Sequence, residues 1–346
     1  MISKRINLST GPVNISPEVQ KALCSPALSH RSKEFIKLFD HTTELLCHLF
    51  SVQQASIMSG SGTLANEVML HQIKMLNAKG LILSNGEFGS RLIHQAERIA
   101  LNFVKHELKW GQPFGIGEIG SILQSGEIKW ILFCHCETST GALNNLDAIA
   151  TLCAQYKCFC FVDCISSAGT SSINLSNISM ATASSGKGLA SYCGLALLLS
   201  NIPPKSNNSI PIYYDLLHYY QKNKIPFTIS SNLVAALNIS IVQKSSENQP
   251  ELIRKYCNKY YEVLHSYNLV PFGNVCSKVF TIVLPKEKKP VFINQMKNKQ
   301  IDLSYESEYL TKRDWSQLAV FGYYQESQLH YACNALEQSL QDMFGR

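Results

Sequence analysis

Four short apolar runs recur in the first two hundred residues: KGLILS (79–84), KWILFCH (129–135), KCFCFVD (157–163) and CGLALLLS (193–200). Each is too brief for an ordinary helix and lacks polar alternation, the mark of strands buried on both faces. Helical periodicity fills the spaces between them, as in TLANEVMLHQIKML (63–76) and NLDAIATLCAQY (145–156). Strand, helix, strand in this rhythm predicts an α/β fold with a largely parallel sheet covered on both faces. Such sheets bind ligands in the loops beyond the carboxyl ends of their strands.

The chain has 346 residues, enough for one large unit and one smaller one. The polar stretch NIPPKSNNSIP (201–211) interrupts the rhythm. A helical region follows, roughly 232–267, and from 270 onward KVFTIVL and HYACNALEQSLQDMF read as strand and closing helix of a small α+β unit. Hydrophobic residues make up 45% and charged residues 16%, a globular composition. The net charge of +6 is spread along the chain without a basic block interleaved with aromatics, which argues against nucleic acid. KEKK (286–289), between two prolines, reads as a solvated turn. The twelve cysteines fall largely in apolar runs, with no CxxC pair. They are expected to be buried thiols in a reducing compartment rather than disulfides or metal ligands. The start, MISKRINLSTGP, has no signal-peptide core, and no 18-residue apolar run occurs anywhere. The expectation is therefore a cytoplasmic protein with no metal and no membrane contact.

Five loops draw attention. SGSGTLANE (59–67) runs glycines and hydroxyls into a helix, where backbone N–H groups with Ser61 and Thr63 could hold a phosphate; a plain helix cap is the ordinary alternative. NGEFGSR (85–91) offers a turn, an aromatic and a cation; Phe88 could stack on a planar ring or sit in a core. HCETSTG (135–141) crowds a carboxylate and three hydroxyls at a strand end. VDCISSAG (162–169) places Asp163 at the end of an otherwise apolar strand, where it needs a partner. ATASSGKGLAS (181–191) sets Lys187 among small residues, as a solvent-facing lysine or as an amine kept accessible to form a Schiff base. GIGEIG (115–120) matches G-x-G-x-x-G, but ELKWGQPF ahead of it makes a poor strand, which argues against dinucleotide binding. A phosphate cradle, a flat-ring contact, an acid for a ring nitrogen and an amine for an aldehyde together describe pyridoxal 5′-phosphate.

The motifs LSTGPVNISPEV, SHRSKEF, SGSGT, NGEFGSR, HCETSTGALN, VDCISSAG and SSGKG, in that order, resemble the class V aminotransferases of the fold-type-I pyridoxal-phosphate enzymes, the alanine–glyoxylate, serine–pyruvate and 2-aminoethylphosphonate–pyruvate transaminases among them. The likeness runs along nearly the whole chain; HCETSTGALN is most like the aminoethylphosphonate branch and SHRSKEF more like phosphoserine aminotransferase. The resemblance implies a mainly parallel seven-stranded sheet sandwiched by helices. It also implies an N-terminal segment (1–20) on the small domain, a large cofactor domain (21–231), a linking long helix (232–268) and a small α+β domain (269–346). Its implied roles are these: Ser61, Gly62 and Thr63 hold the cofactor phosphate, Phe88 stacks on the ring, and Thr138 meets the ring's polar edge. Asp163 pairs with the ring nitrogen, Ile165 packs beneath the ring, and Lys187 is the Schiff-base lysine and proton shuttle. Thr228, in PFT, reaches the partner subunit's site across a homodimer.

Three departures accompany it. Gly186 stands where Gln or Asn is usual before the lysine, and the stretch from Asp163 to Lys187 is about two residues short. Gln317, in SQLAVFG, takes the place of an arginine that grips the substrate carboxylate. Either Arg313 substitutes for it or the substrate is not held as an ordinary α-amino acid; His30 and Arg31 are further candidate anion contacts, with a structural role or a place at the subunit boundary as the alternative. The implied activity is transfer of an amino group from a small donor (an amino acid or aminophosphonate) to a 2-oxo acid. Two alternatives stay open: a lyase or cysteine-desulfurase-like reaction, for which Cys193 is the nearest thiol after the lysine, and a degenerate protein that has lost substrate binding.

Overall fold

The computed structural model describes residues 5–220, 225–246, 249–272 and 277–345. In chain order the elements are β1 (Ile6–Asn7), α1 (Pro17–Leu23), α2 (Lys33–Phe50), β2 (Gln54–Ser59), α3 (Gly62–Lys74), β3 (Gly80–Ser84), α4 (Glu87–Arg98), β4 (Phe103–Glu107), α5 (Ile116–Leu123) and β5 (Trp130–Cys134). There follow β6 (Cys136–Glu137), β7 (Ala142–Leu143), α6 (Leu146–Gln155), β8 (Phe159–Asp163), β9 (Met180–Ser184), β10 (Leu195–Ser200), α7 (Leu216–Tyr220), α8 (Ser231–Ser246) and α9 (Gln249–Ser266). The last part holds β11 (Val279–Val283), α10 (Lys289–Asn298), β12 (Ile301–Asp302), α11 (Glu308–Arg313), β13 (Trp315–Ala319) and α12 (Glu326–Phe344).

A seven-stranded sheet, β2-β10-β9-β8-β5-β3-β4, organises the larger part. The apolar runs predicted as strands are its β3, β5, β8 and β10. All neighbours pair in parallel except β10, which runs antiparallel to both β2 and β9. Side chains alternate strictly. Ile131, Phe133, Val162, Ala181 and Leu197 enter the core under α2, α5, α6 and α8. Leu132, Phe161, Met180, Ala196 and Leu198 face a second core under α3 and α4. Burial on both faces explains why these strands lack polar residues.

Two strands escape a pattern reading. β4, FVKHE, is an edge strand with exposed lysine and glutamate, polar where a central strand cannot be. β9, MATAS, opens the stretch taken as a lysine loop; its alanines, threonine and serine carry little strand signal, yet Met180 to Ala183 are fully buried. Small side chains there let α3 lie close on the sheet. GIGEIG is no phosphate loop: Ile116 to Leu123 is helix α5, separated from β4 by residues 108–115.

The helical stretch expected over 232–267 is described as two helices, α8 and α9. By packing, α8 joins the first core through Val234, Leu237 and Ile241, while α9 joins another core through Tyr256, Cys257 and Tyr260. That further core holds α10, α12, β12 and the antiparallel pair β11–β13. Chain positions 6–8 belong to it too: β1 pairs in parallel with β12, and Ala319 N–H donates to the Leu8 carbonyl. Every described cysteine is a free thiol. Among the described residues no cluster of His, Cys, Asp and Glu could hold a metal, and no helix is long and apolar enough to cross a membrane.

Candidate active site

The loops at the carboxyl ends of β2, β5, β8 and β9 converge on one cavity of about 390 Å³, within the size range of small-ligand sites. Lys187, in the turn after β9, projects into it. Its Nζ donates to Ser166 Oγ at 2.9 Å and stands 5.5 Å from the centre of the Phe88 ring. Burial pushes the Lys187 ammonium below its usual range, with the nearby Asp163 charge opposing the shift.

Asp163 closes β8 and faces the same cavity. Its Oδ1 accepts from the Ile165 N–H at 2.8 Å and its Oδ2 from Asn66 Nδ2 at 2.8 Å. Asn66 is itself fixed by Thr182 Oγ1, which donates to Asn66 Oδ1 at 2.7 Å. Burial pushes the Asp163 carboxyl up, and these donors together with the Lys187 charge pull it back toward the ionised form.

The phosphate-cradle residues lie where helix α3 begins. Ser61 is its N-cap, and its hydroxyl makes no capping bond. Ser61 and Thr63 are exposed toward the cavity, so first-turn N–H groups and two hydroxyls share one wall. Gly62 has a steric reason: a Cβ there would lie 2.6 Å from Ile165 Cδ1. Ile165 and Phe88 line the cavity as well. Thr138 contributes its hydroxyl, bonded to Ser166 Oγ in a short hydrogen bond.

The carboxylate of HCETSTG has a definite task. Glu137, fully buried, accepts from the N–H groups of Phe88 (3.1 Å) and Gly89 (2.9 Å) and from Ser139 Oγ (2.6 Å). It thereby caps the first turn of α4 and sets the Phe88 ring over the cavity. Burial pushes this carboxyl up, and these three donors, with the Ser139 N–H at 3.1 Å, work against that shift. His135 is held at Nδ1 by Ser167 Oγ at 3.0 Å, and burial pushes it down to about 4, so it is neutral near pH 7.

The remaining candidates are not gathered here within one chain. Gln317 is wholly buried: Nε2 donates to the Thr138 carbonyl (2.6 Å) and Thr281 Oγ1 (2.8 Å), and Oε1 accepts from Tyr309 OH (2.8 Å). It braces the Thr138 loop and does not line the cavity. Arg313 lies over Trp110, 3.5 Å from the ring centre, with Trp315 at 5.2 Å, and turns away from the site. Arg31 is exposed and donates to the Ile225 carbonyl at 3.3 Å; His30 lies beside it. Thr228 is exposed in the adjoining segment and lies outside the cavity.

The structure also explains one departure. A Cβ on Gly186 would fall 2.3 Å from Cys193 Sγ, so no side chain fits before the lysine. Cys193 is not packed away: it is exposed and lines the cavity.

Three residues at the site went unnoticed in the sequence, Asn66, Ser166 and Cys136, while Arg91 entered only as the cation of NGEFGSR, with no role given to it. Asn66 had a signal, an amide on the apolar stripe of α3 beside Ala65, Met69 and Ile73. Ser166 and Cys136 had none beyond their neighbours.

Known proteins share the sequence pattern and the fold. The family profile "Aminotransferase class-V" matches residues 18–201. An uncharacterised aminotransferase of Methanocaldococcus jannaschii is 29% identical over 264 residues, spanning 71% of this chain and 68% of that protein. A 2-aminoethylphosphonate–pyruvate transaminase of Pseudomonas fluorescens is 28% identical over 263 residues, spanning 71% and 70%. The crystal structure of a subgroup IV aspartate aminotransferase from Thermus thermophilus superposes with a TM-score of 0.87 at 23% identity, covering 98% of this chain and 100% of that one. The chain belongs to the class V aminotransferase family, transaminases of fold type I that work with pyridoxal 5′-phosphate.

Proposed function

We propose that the protein moves an amino group from a small amino donor to a 2-oxo acid, with Lys187 as the amine that holds the cofactor covalently. The observation that carries this is the placement of Lys187, Asp163 and Phe88 on one cavity whose far wall is the N-terminus of α3. The donor set fits the cofactor: first-turn N–H groups with Ser61 and Thr63 for a phosphate, Phe88 and Ile165 for the two faces of a flat ring, Asp163 for a ring nitrogen, and Lys187 for an aldehyde.

When bound, the cofactor supplies an aldehyde that condenses with amines and a protonated ring that accepts the electron pair left at the substrate's Cα. The chain does the rest. Asp163, whose ionised form Asn66 and the Ile165 N–H favour against burial, would hold a proton on the ring nitrogen. Lys187 Nζ, shifted toward the neutral amine by burial, is a competent nucleophile and would then be the base that takes the proton from the substrate's Cα and delivers it to the former aldehyde carbon, on the other side of the amino nitrogen. Ser166 Oγ orients Nζ while it waits.

Thr228, His30 and Arg31 fit a homodimer whose sites lie at the subunit boundary, since all three sit on one stretch of surface joined through Ile225. The desulfurase-like alternative would use Cys193 as sulfur acceptor. Unchanged turnover in Cys193→Ser would remove it, and selective loss of sulfur release would favour it.

The direct test is reduction of the cofactor-loaded protein with borohydride, followed by peptide mass spectrometry. The pyridoxyl mass is expected on the peptide containing Lys187. A label on any other lysine, or none, overturns the assignment.

A further inference from the structure

A 2-oxo acid brings a carboxylate into a half-enclosed cavity, and that charge needs a cation or several N–H donors. Gln317 offers nothing to it, because both Nε2 hydrogens already go to Thr138 and Thr281. Arg313 is stacked over Trp110, with Trp315 alongside, and does not line the cavity. Among the described residues lining the Lys187 cavity, the other cation is Arg91. It lies one turn into α4, with Cζ 4.8 Å from the centre of the Phe88 ring. Its charged neighbour is Glu87, with Nη2 to Oε1 at 3.6 Å, beyond hydrogen-bond range. Arg91 also lines a second cavity of about 570 Å³, which shares Gly11, Pro12 and Phe88 with the first. The guanidinium therefore stands where the two spaces meet, loosely paired with Glu87 and, among the described residues, without a close hydrogen bond to its fork.

Building on the transaminase reading above, we propose that Arg91 is the receptor for the substrate's carboxylate and so selects acids whose anionic group lies on the Phe88 side of Lys187. The planar fork matches a carboxylate in a two-bond contact. Glu87 competes for the same fork and tempers the affinity. This places the specificity cation on α4 of the large unit rather than on β13.

The test uses the cofactor-loaded protein and maleate, a dicarboxylate with no reactive amino or oxo group, followed by calorimetry. Arg91→Gln is expected to weaken maleate binding at least tenfold, Arg91→Lys to weaken it less, and Glu87→Gln to strengthen it two- to threefold. Arg313→Gln is expected to bind as the parent does. In turnover, Arg91→Gln should raise KM for the oxo acid at least tenfold and change kcat less than threefold. Cofactor retention and thermal unfolding of each variant separate a lost contact from a lost fold, and Arg91→Lys keeps the charge if Arg91→Gln does not fold. Equal maleate affinity in Arg91→Gln and the parent, or no maleate binding by the parent, overturns the proposal. If maleate binding depends on Arg91 but no donor converts the bound cofactor, the anion site stands and the transaminase reading falls. If donors convert the cofactor while Arg91→Gln behaves as the parent, the reverse holds.

Discussion

Lys187 and Asp163 are both held in places that disfavour their charges, so each works against the stability of the empty protein. Burial raises the Asp163 pKa, so the ionised carboxylate is penalised above its folded-state value and the penalty vanishes below the ordinary carboxylate range. Asp163→Asn should therefore raise the melting temperature of the cofactor-free protein at pH 7, and the gain should shrink as pH falls through the raised folded-state value and be gone below about 4. Burial lowers the Lys187 pKa, so its penalty is present below the folded-state value and fades as pH rises toward the ordinary lysine range. Lys187→Met should be at least as stable as the parent at pH 7 while losing turnover entirely; thermal scans across pH check both. A melting temperature lowered by either substitution would contradict this reading. The sequence made these two residues legible because charge amid small or apolar neighbours has few innocent explanations. Gln317 misled for the opposite reason. Its family position suggests a substrate contact, but three hydrogen bonds and complete burial make it a brace. Gln317→Arg would bury an unpaired charge and should cost on the order of 3 kcal/mol in denaturant unfolding without improving activity.

At the level of elements, the site depends on how α3 and α4 meet the sheet. Gly62 lets the α3 N-terminus approach Ile165, and a methyl at 2.6 Å from Cδ1 must push one of them away. Gly62→Ala should weaken cofactor binding about tenfold, and Ile165→Ala in the same chain should recover part of that loss in a double-mutant cycle of dissociation constants. The sequence reveals α3 and the four apolar strands because burial on both faces excludes polar residues. It conceals β4, whose edge position admits Lys105 and Glu107, and β9, whose small residues answer to helix packing rather than strand propensity. It also conceals the task of Glu137, since a carboxylate capping a helix 48 positions away in the chain leaves no local pattern.

For the whole molecule, the sheet's two cores flank the site, and the N-terminal strand joins the further core of α9, α10 and α12 through β12. The order of motifs anticipated the mainly parallel seven-stranded sheet flanked by helices; which residues act across a subunit boundary is not written in the spacing. If Thr228 serves the partner's site, Lys187→Ala and Thr228→Ala homodimers should each be impaired, yet mixing them should restore activity. Random exchange makes half the dimers hybrids, each with one intact site, so about a quarter of parental activity per site is expected. No recovery after demonstrated subunit exchange would place Thr228 outside the partner's site.

The central claim is that Lys187 in this cavity holds pyridoxal phosphate and passes amino groups through it. The most direct measurement is the visible absorption spectrum of the protein with pyridoxal phosphate, titrated with aminoethylphosphonate, alanine, serine and phosphoserine. The expected result is a visible band that is absent in Lys187→Ala, that bleaches with at least one donor, and that returns on adding a 2-oxo acid. A band that persists in Lys187→Ala, or that no amino donor bleaches, would contradict it.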